Sequence, residues 1–131
     1  MILEHVAIWT GDLELMKDFY CRTFGAKAGA RYENPEKQFQ SYFLTFESGA
    51  RLELMKMKDI PENLNDTIQR QHQGIIHLAF GVNTRDEVDA MASQLKSRGY
   101  RIVSGPRETG DGYYEFEMLD PENNRLEVTT K

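Results

Sequence analysis

The sequence contains an internal repeat. The run HVAI at 5–8 returns as HLAF at 77–80, an offset of 72 residues, and RLEL at 51–54 returns as RLEV at 125–128, an offset of 74. Both pairs of runs have the apolar and polar alternation of a β-strand. A chain that repeats in this way folds as two copies of one supersecondary unit, so every element of the first half predicts one in the second.

Each half carries one predicted amphipathic helix after its first strand. In the first half Asp12 is a typical N-cap, and apolar residues follow at helical spacing until Gly25 ends the helix. In the second half Thr84 and Glu87 form a capping-box pattern, and Gly99 ends the helix. Gly99 follows Gly25 by 74 positions, whereas His77 follows His5 by 72. The two additional residues of the second half therefore lie within its helix.

Four strand-like runs accompany the helix in each half. They lie at 3–9, 28–32, 39–47 and 51–54 in the first half and at 75–81, 100–104, 113–119 and 125–128 in the second. We therefore predict one α+β domain over 1–131, built from two βαβββ modules at 1–57 and 75–131 and joined by a connection at 58–74. The helix of each module covers only one face of its sheet, so the two modules, or a second chain, should share the other face. We expect the paired modules to form a curved mixed sheet around a metal cleft.

The composition excludes several classes of function. The 131 residues carry a formal net charge of −5 with no basic run, which argues against nucleic acid as a partner. No apolar stretch approaches the ~20 residues of a membrane helix, and the N-terminus has neither the basic start nor the apolar stretch of a signal peptide. Cys21 is the single cysteine, so no intramolecular disulfide can form. We expect a cytoplasmic protein without a membrane partner.

Two histidines and two glutamates occupy matching strand positions in the two halves. His5 and His77 lie in the first strands, and Glu53 and Glu127 lie in the last. Their sequence neighbours form the apolar face toward the helix, so all four point to the opposite, inward face. Each alone has an ordinary interpretation, as a hydrogen-bonded structural histidine or a strand-edge charge. Together the four residues favour a site for a divalent cation such as Zn²⁺, Ni²⁺, Co²⁺, Mn²⁺ or Fe²⁺. The third histidine, His72, is interpreted as a solvated loop residue.

The chain resembles the glyoxalase I, bleomycin-resistance and extradiol-dioxygenase superfamily, also called the vicinal oxygen chelate proteins, over nearly its whole length. The motifs that carry the resemblance are HVAI at 5–8, DFYCRTFG at 18–25, ENPE at 33–36, RLEL at 51–54, HLAF at 77–80 and DPENNRLEV at 120–128. The His, Glu, His, Glu pattern of glyoxalase I falls on His5, Glu53, His77 and Glu127. The resemblance implies a metal-dependent lyase or isomerase that converts a small 2-oxo-type substrate through an enediolate.

The fourth ligand bears on which chemistry is expected. An extradiol dioxygenase binds catecholate through two oxygens and O₂ at a third position, so two His and one carboxylate hold its iron. A His₂Glu₂ set leaves two adjacent octahedral positions, which suit the two oxygens of an enediolate. By resemblance Glu127 is the base, and Glu53 is a ligand and the alternative base. An epimerase or dioxygenase of the same superfamily and a non-catalytic, resistance-type binding protein remain alternatives.

The sequence departs from the glutathione-using members at two positions. Those members commonly carry an Arg four residues after the first metal His and an Asn four residues after the first metal Glu, and here Trp9 and Met57 occupy these positions. A lost charge-assisted contact removes about 1.5–3 kcal/mol, which argues against glutathione as a cosubstrate.

The same departure points to an apolar substrate pocket. Trp9, Met55 and Met57 share the strand faces of His5 and Glu53. They predict a pocket for a larger or more apolar substrate, although packing at a dimer interface accounts for them equally well.

Because two modules leave strand edges and concave sheet surface to cover, we also expect a homodimer.

Overall fold

A computed structural model describes residues 1–131 and divides the chain into two units. The first half is Met1–Leu64 and the second half is Asn65–Lys131. The first half contains β1 (His5–Trp9), α1 (Leu13–Phe24), β2 (Lys27–Ala28), β3 (Tyr32–Asn34), β4 (Phe39–Thr45) and β5 (Arg51–Met57); the second contains β6 (His77–Gly81), α2 (Arg85–Ser97), β7 (Ile102–Glu108), β8 (Tyr114–Leu119) and β9 (Arg125–Thr130). The predicted α+β class and the repeated module are confirmed.

In the first half, five strands form one mixed sheet. The order is β1-β5-β4-β2, and β3 pairs with β4 beside β2. β1 runs parallel to β5, with His5 opposite Arg51 and Ala7 opposite Glu53, and the remaining pairs are antiparallel. Ala7 is two residues after His5, and side chains two residues apart point to the same face of a strand. His5 and Glu53 therefore lie on the same face of neighbouring strands.

In the second half, four strands repeat this arrangement. The order is β6-β9-β8-β7. β6 runs parallel to β9 and places Ala79 opposite Glu127, while antiparallel β8 places Glu117 opposite the same Glu127. His77, two residues before Ala79, shares the face of Glu127, as His5 shares the face of Glu53 in the first half.

Each helix covers the opposite face of its own sheet. α1 packs on β2, β4 and β5, and α2 packs on β7, β8 and β9. The buried side chains of the two cores include Leu13, Met16, Phe19, Tyr20, Leu44, Leu52 and Leu54 in the first half and Val88, Ala92, Leu95, Phe116, Met118, Leu126 and Val128 in the second. Burial of one such large apolar side chain contributes roughly 1.5–3 kcal/mol, so these faces fix the orientation of each strand. Neither helix is long and apolar enough to cross a bilayer.

The helix ends follow the predicted capping residues. The Asp12 side chain accepts a hydrogen bond from the backbone N–H of Leu15, and Gly25 has the left-handed conformation with φ of 66°. Thr84 and Glu87 form both hydrogen bonds of a capping box at the start of α2. These contacts satisfy N–H groups of the first helical turns, which have no partner inside the helix.

Two strand predictions need correction. The single strand expected at 28–32 is divided into β2 and β3, and between them the N–H of Gly29 donates to the carbonyl of Phe43 at 2.9 Å. Glycine inside a strand weakens it and favours such an irregularity. The strand expected at 100–104 instead runs through Gly105 and Pro106 as β7. Because β7 is an edge strand with shifted register, a residue without an N–H is tolerated there.

Gly105 offers a test of the close approach between β7 and β8. Its φ is +80°, and a Cβ would lie 2.5 Å from the carbonyl oxygen of Glu115 and 3.0 Å from the Cα of Phe116. We expect Gly105→Ala to lower the free energy of unfolding by roughly 2–4 kcal/mol, because backbone strain and a backbone clash combine. The control is Gly112→Ala, at φ of +89° with nothing within 4 Å, which should lose about 1 kcal/mol in urea denaturation. Equal losses would show that the strand contact is unimportant.

Candidate metal centre

The parallel pairing of β1 with β5 brings His5 and Glu53 together. The Nε2 atom of His5 lies 3.9 Å from the Oε2 atom of Glu53. Donor atoms that each bind one cation at about 2.1 Å lie roughly 3–4 Å apart, so this separation suits a shared cation. The Glu53 side chain is 14% exposed and that of His5 is 40% exposed, so the pair is accessible to a solute from the imidazole side.

Glu4 orients the His5 ring. Its carboxylate accepts a hydrogen bond from Nδ1 of His5, which leaves Nε2 as the nitrogen with a lone pair. Glu4 also accepts a hydrogen bond from Nε of Arg51 at 2.7 Å. The pKa of Glu4 is lowered, first by the hydrogen bond with His5 and then by Arg51. The sequence analysis did not identify Glu4, although its position beside a repeated histidine was a usable signal.

An aromatic ring borders the first pair. Phe43 lies opposite Glu53 on β4, and its ring meets the His5 ring edge to face with centroids 5.4 Å apart. The guanidinium of Arg51 lies 4.1 Å from the centroid of the same ring. Phe43 therefore limits the space around His5 without supplying a ligand atom.

The second half repeats the pair and adds a carboxylate. The Nε2 atom of His77 lies 3.7 Å from the Oε2 atom of Glu127. Ligand atoms of His77, Glu127 and Glu117 all lie within 4.8 Å of one another. Glu117 was not predicted from the sequence, because the repeat matches this position with Phe43, which has no carboxylate.

Arg125 holds Glu117 in place. Its Nη1 atom donates to Oε2 of Glu117 at 3.0 Å, and its Nη2 atom donates to the carbonyl oxygens of Thr67 at 3.0 Å and Ile68 at 3.3 Å. The Arg125 side chain is 5% exposed. A buried arginine with this many fixed acceptors has little freedom, so the carboxylate it binds is also fixed.

The pKa of Glu127 is raised above its ordinary value. Burial is the largest cause, and the negative charges of Glu115 and Glu117 act in the same direction, whereas His77 and Arg107 oppose them. The Glu127 carboxylate therefore has a greater proton affinity than an exposed glutamate. A carboxylate of this kind is suited either to accept a proton or to bind a cation.

The three predicted pocket residues lie along the same face of the first half. Trp9 pairs with Met55, and Met57 pairs with Phe39. Trp9 is 41% exposed, and its ring meets that of Phe39 edge to face with centroids 6.0 Å apart. Phe39 is thus an aromatic neighbour that the sequence analysis did not identify. His72 is exposed in the segment before β6, as predicted for a loop histidine.

The residues present fit a divalent metal ion. Each half presents an imidazole nitrogen beside a carboxylate oxygen, at 3.9 Å in the first and 3.7 Å in the second. Neutral imidazole and carboxylate suit Zn²⁺, Ni²⁺, Co²⁺, Mn²⁺ and Fe²⁺, and this donor set does not discriminate among those ions.

The chain is similar in sequence and fold to several known proteins. The chain is 26% identical over 132 residues to the uncharacterized protein YqjT of Bacillus subtilis (strain 168), covering 96% of each. A glyoxalase family protein from Enterococcus faecalis has a structure with a TM-score of 0.76, 25% identity and coverage of 97% of this chain and 95% of that one. Glyoxalase I from Zea mays gives a TM-score of 0.78 at 23% identity, over 99% of this chain and 44% of that one.

The match to a family extends over almost the whole sequence. The pattern of the Glyoxalase/Bleomycin resistance protein/Dioxygenase superfamily matches residues 2–128, which include both histidines and both glutamates of the two pairs. The chain therefore belongs to the glyoxalase/bleomycin resistance protein/dioxygenase superfamily.

Proposed function

We propose that the protein is a metal-dependent, glyoxalase I-like lyase or isomerase that converts a 2-oxo-type substrate through an enediolate. The supporting observation is the repeated His and Glu pair, with His5 beside Glu53 and His77 beside Glu127. We infer that these four side chains hold one divalent cation: Zn²⁺, Ni²⁺, Co²⁺, Mn²⁺ or Fe²⁺.

The carboxylates supply the proton transfer in this proposal. A bound cation polarises the substrate carbonyl and so acidifies the neighbouring carbon-bound proton. Glu127 accepts that proton and returns it to the adjacent carbon, and its burial makes it a better base than an exposed glutamate. Glu53, on β5 of the first half, is a ligand and the alternative base. Glu4 keeps Nε2 of His5 directed to Glu53.

The number of donors favours proton transfer over the other chemistries of the superfamily. Two His and two Glu would leave a bound cation room for the two oxygens of an enediolate, whereas a catechol dioxygenase needs room for O₂ as well. The Glu127 carboxyl, whose pKa is raised chiefly by burial, is suited to accept a proton, and this supports an enzyme over a non-catalytic binding protein.

The substrate is proposed to be a small molecule with an apolar group. Trp9, Met55 and Met57 form an apolar run beyond Glu53, and Phe39 extends it. Such a surface binds alkyl or aryl groups better than the charged ends of glutathione. Homodimer formation and a cytoplasmic location stay predictions of the sequence.

Metal content tests the quartet. We expect about one divalent ion per chain after loading and desalting, measured by elemental analysis. His77→Ala should lose most of it, because an imidazole ligand is removed. His72→Ala is the matched control, since His72 is exposed in a loop, and it should bind as the wild type does. Undiminished metal in His77→Ala would disprove the assignment.

Two glutamine variants separate ligation from proton transfer. Glutamine keeps a carbonyl oxygen but cannot accept a proton at neutral pH. At saturating metal, Glu127→Gln should lose about 10²- to 10⁴-fold in kcat, the usual contribution of a general base. Glu53→Gln should recover more activity once metal is in excess. Near-wild-type turnover by metal-saturated Glu127→Gln would show that another residue is the general base. Glu53 would then be the first candidate.

Substrate preference tests the departure from the glutathione-using members. We expect little lactoylglutathione formation from methylglyoxal and glutathione, because Trp9 and Met57 supply no charged or amide donor. The double variant Trp9→Arg and Met57→Asn, assayed beside the wild type, should gain rate with the hemithioacetal. Rapid turnover of that adduct by the wild type would contradict the role given to these two residues.

A further inference from the structure

The face of the first sheet that carries Glu53 becomes apolar toward the end of β5. Met55 and Met57 follow Glu53 by two and four residues, so their side chains point to the same face. On the neighbouring strands Trp9 lies opposite Met55, and Phe39 lies opposite Met57. No charged side chain occupies these four positions. The surface that continues from the Glu53 carboxylate is therefore apolar.

Three aromatic rings lie along this surface. The Phe39 ring is 6.0 Å from the Trp9 ring and 6.0 Å from the Tyr32 ring, measured between centroids. Tyr32 lies opposite Ser41 on β4, two residues from Phe39, and so shares its face. Trp9 is 41% exposed and Tyr32 is 55% exposed, whereas Phe39 is half-buried between them. The outer two rings are therefore accessible to a small molecule.

The second half does not repeat the central pair of this surface. The offsets of the repeat match Trp9 with Gly81 and Met55 with Thr129, and Gly81 lies opposite Thr129. Thr129 also lies opposite the carboxylate-bearing Glu115. A packing role common to both modules would not place an indole beside a thioether in one and neither group in the other. The apolar surface therefore points to a function particular to the first half.

We propose that Trp9, Phe39 and Tyr32 bind an aryl group of the substrate, which makes the substrate a 2-oxo compound with an aromatic ring next to its reacting carbons. This inference rests on the proposed function. Two residues of a strand advance about 6.6 Å, which is the step from Glu53 to Met55. A phenyl group attached directly to a 2-oxo unit spans about the same distance. With the 2-oxo unit beside Glu53, the ring reaches Met55 and Trp9.

An aromatic occupant suits this surface better than a saturated one of the same size. Aromatic rings attract one another in edge-to-face or offset contacts with centroids about 4.5–7 Å apart, in addition to the gain from burial. The sulfur of a methionine also contacts aromatic rings favourably. A cyclohexyl group gains burial alone. The surface therefore discriminates by aromatic character as well as by size.

Three 2-oxo acids test this discrimination without turnover. Phenylglyoxylate, cyclohexylglyoxylate and pyruvate share the 2-oxo acid unit and differ in the attached group. In titration calorimetry with the Zn²⁺-loaded protein, the Kd of phenylglyoxylate should be at least about fivefold lower than that of cyclohexylglyoxylate, because only the phenyl ring pairs with other rings. It should be at least about twentyfold lower than that of pyruvate, which has a single methyl group to bury. Equal Kd values for the phenyl and cyclohexyl acids would overturn the inference.

Leucine variants test the named rings. Phe39→Leu and Tyr32→Leu keep an apolar side chain and remove the ring, so each should lower the phenyl-to-cyclohexyl affinity ratio at least about twofold. The matched control is Tyr42→Leu, because Tyr42 lies on β4 between these positions but on the opposite face, where its hydroxyl donates to Glu14. It should keep the wild-type ratio, and an equal fall in this control would contradict the role given to the rings.

The affinity ratio also guards against effects on folding. Both Kd values are measured on the same variant, so their ratio does not depend on the fraction of protein that is folded. If circular dichroism shows that Phe39→Leu is unfolded, Tyr32→Leu carries the test, since an exposed side chain adds little to stability.

Fluorescence locates the binding surface. Trp9 is the single tryptophan, so tryptophan emission reports on this surface alone. Phenylglyoxylate should change that emission saturably, with the Kd found by calorimetry, and should reduce quenching of Trp9 by acrylamide. A second copy of the chain that covers this face would leave the emission unaffected by phenylglyoxylate, and that result would overturn the inference.

Failure of the parent proposal gives a different result. A wild type that binds no divalent ion would refute the proposed function and this inference with it. A wild type that binds Zn²⁺ but shows no preference for the phenyl acid would refute only the assignment of an aryl substrate.

Discussion

The parallel pairing of the first strand with the last strand of each half is the contact on which the candidate site depends. It places His5 and Glu53, 48 positions apart in the sequence, within 3.9 Å, and it does the same at 3.7 Å for His77 and Glu127. Parallel neighbours require a long crossover, and the intervening helix and strands provide it. The helix also covers the apolar face, which leaves the His and Glu face for chemistry.

Electrostatic balance gives the second half a distinct role. Its sheet places the carboxylates of Glu117 and Glu127 near the His77 imidazole, and Arg125 pairs with Glu117. Arg125 additionally binds the carbonyls of Thr67 and Ile68, so the segment before β6 is tied to the last strand at the same point. In the first half Arg51 instead pairs with Glu4, which orients the histidine. Arg51 and Arg125 occupy matching positions of the repeat but bind different partners, Glu4 in the first half and Glu117 in the second.

The repeat made the modules and the placement of the two His and Glu pairs predictable, because register fixes which face a strand residue occupies. What lay outside the repeat was missed. Glu117 has Phe43 as its counterpart, and Glu4 has no matching carboxylate in the second half, where Ile76 precedes His77. The extent of β7 was not predicted, because a proline such as Pro106 usually ends a strand. The sequence does not show that β7 is an edge strand, where proline is tolerated.

We propose that His5, Glu53, His77 and Glu127 are ligands of a divalent cation. Anomalous diffraction at the metal absorption edge, from crystals of the Zn²⁺- or Co²⁺-loaded protein, tests it most directly. One peak is expected about 2.0–2.3 Å from Nε2 of His5 and His77 and from carboxylate oxygens of Glu53 and Glu127. A peak bonded to residues of one half alone, or a loaded crystal with no peak at these side chains, would contradict it.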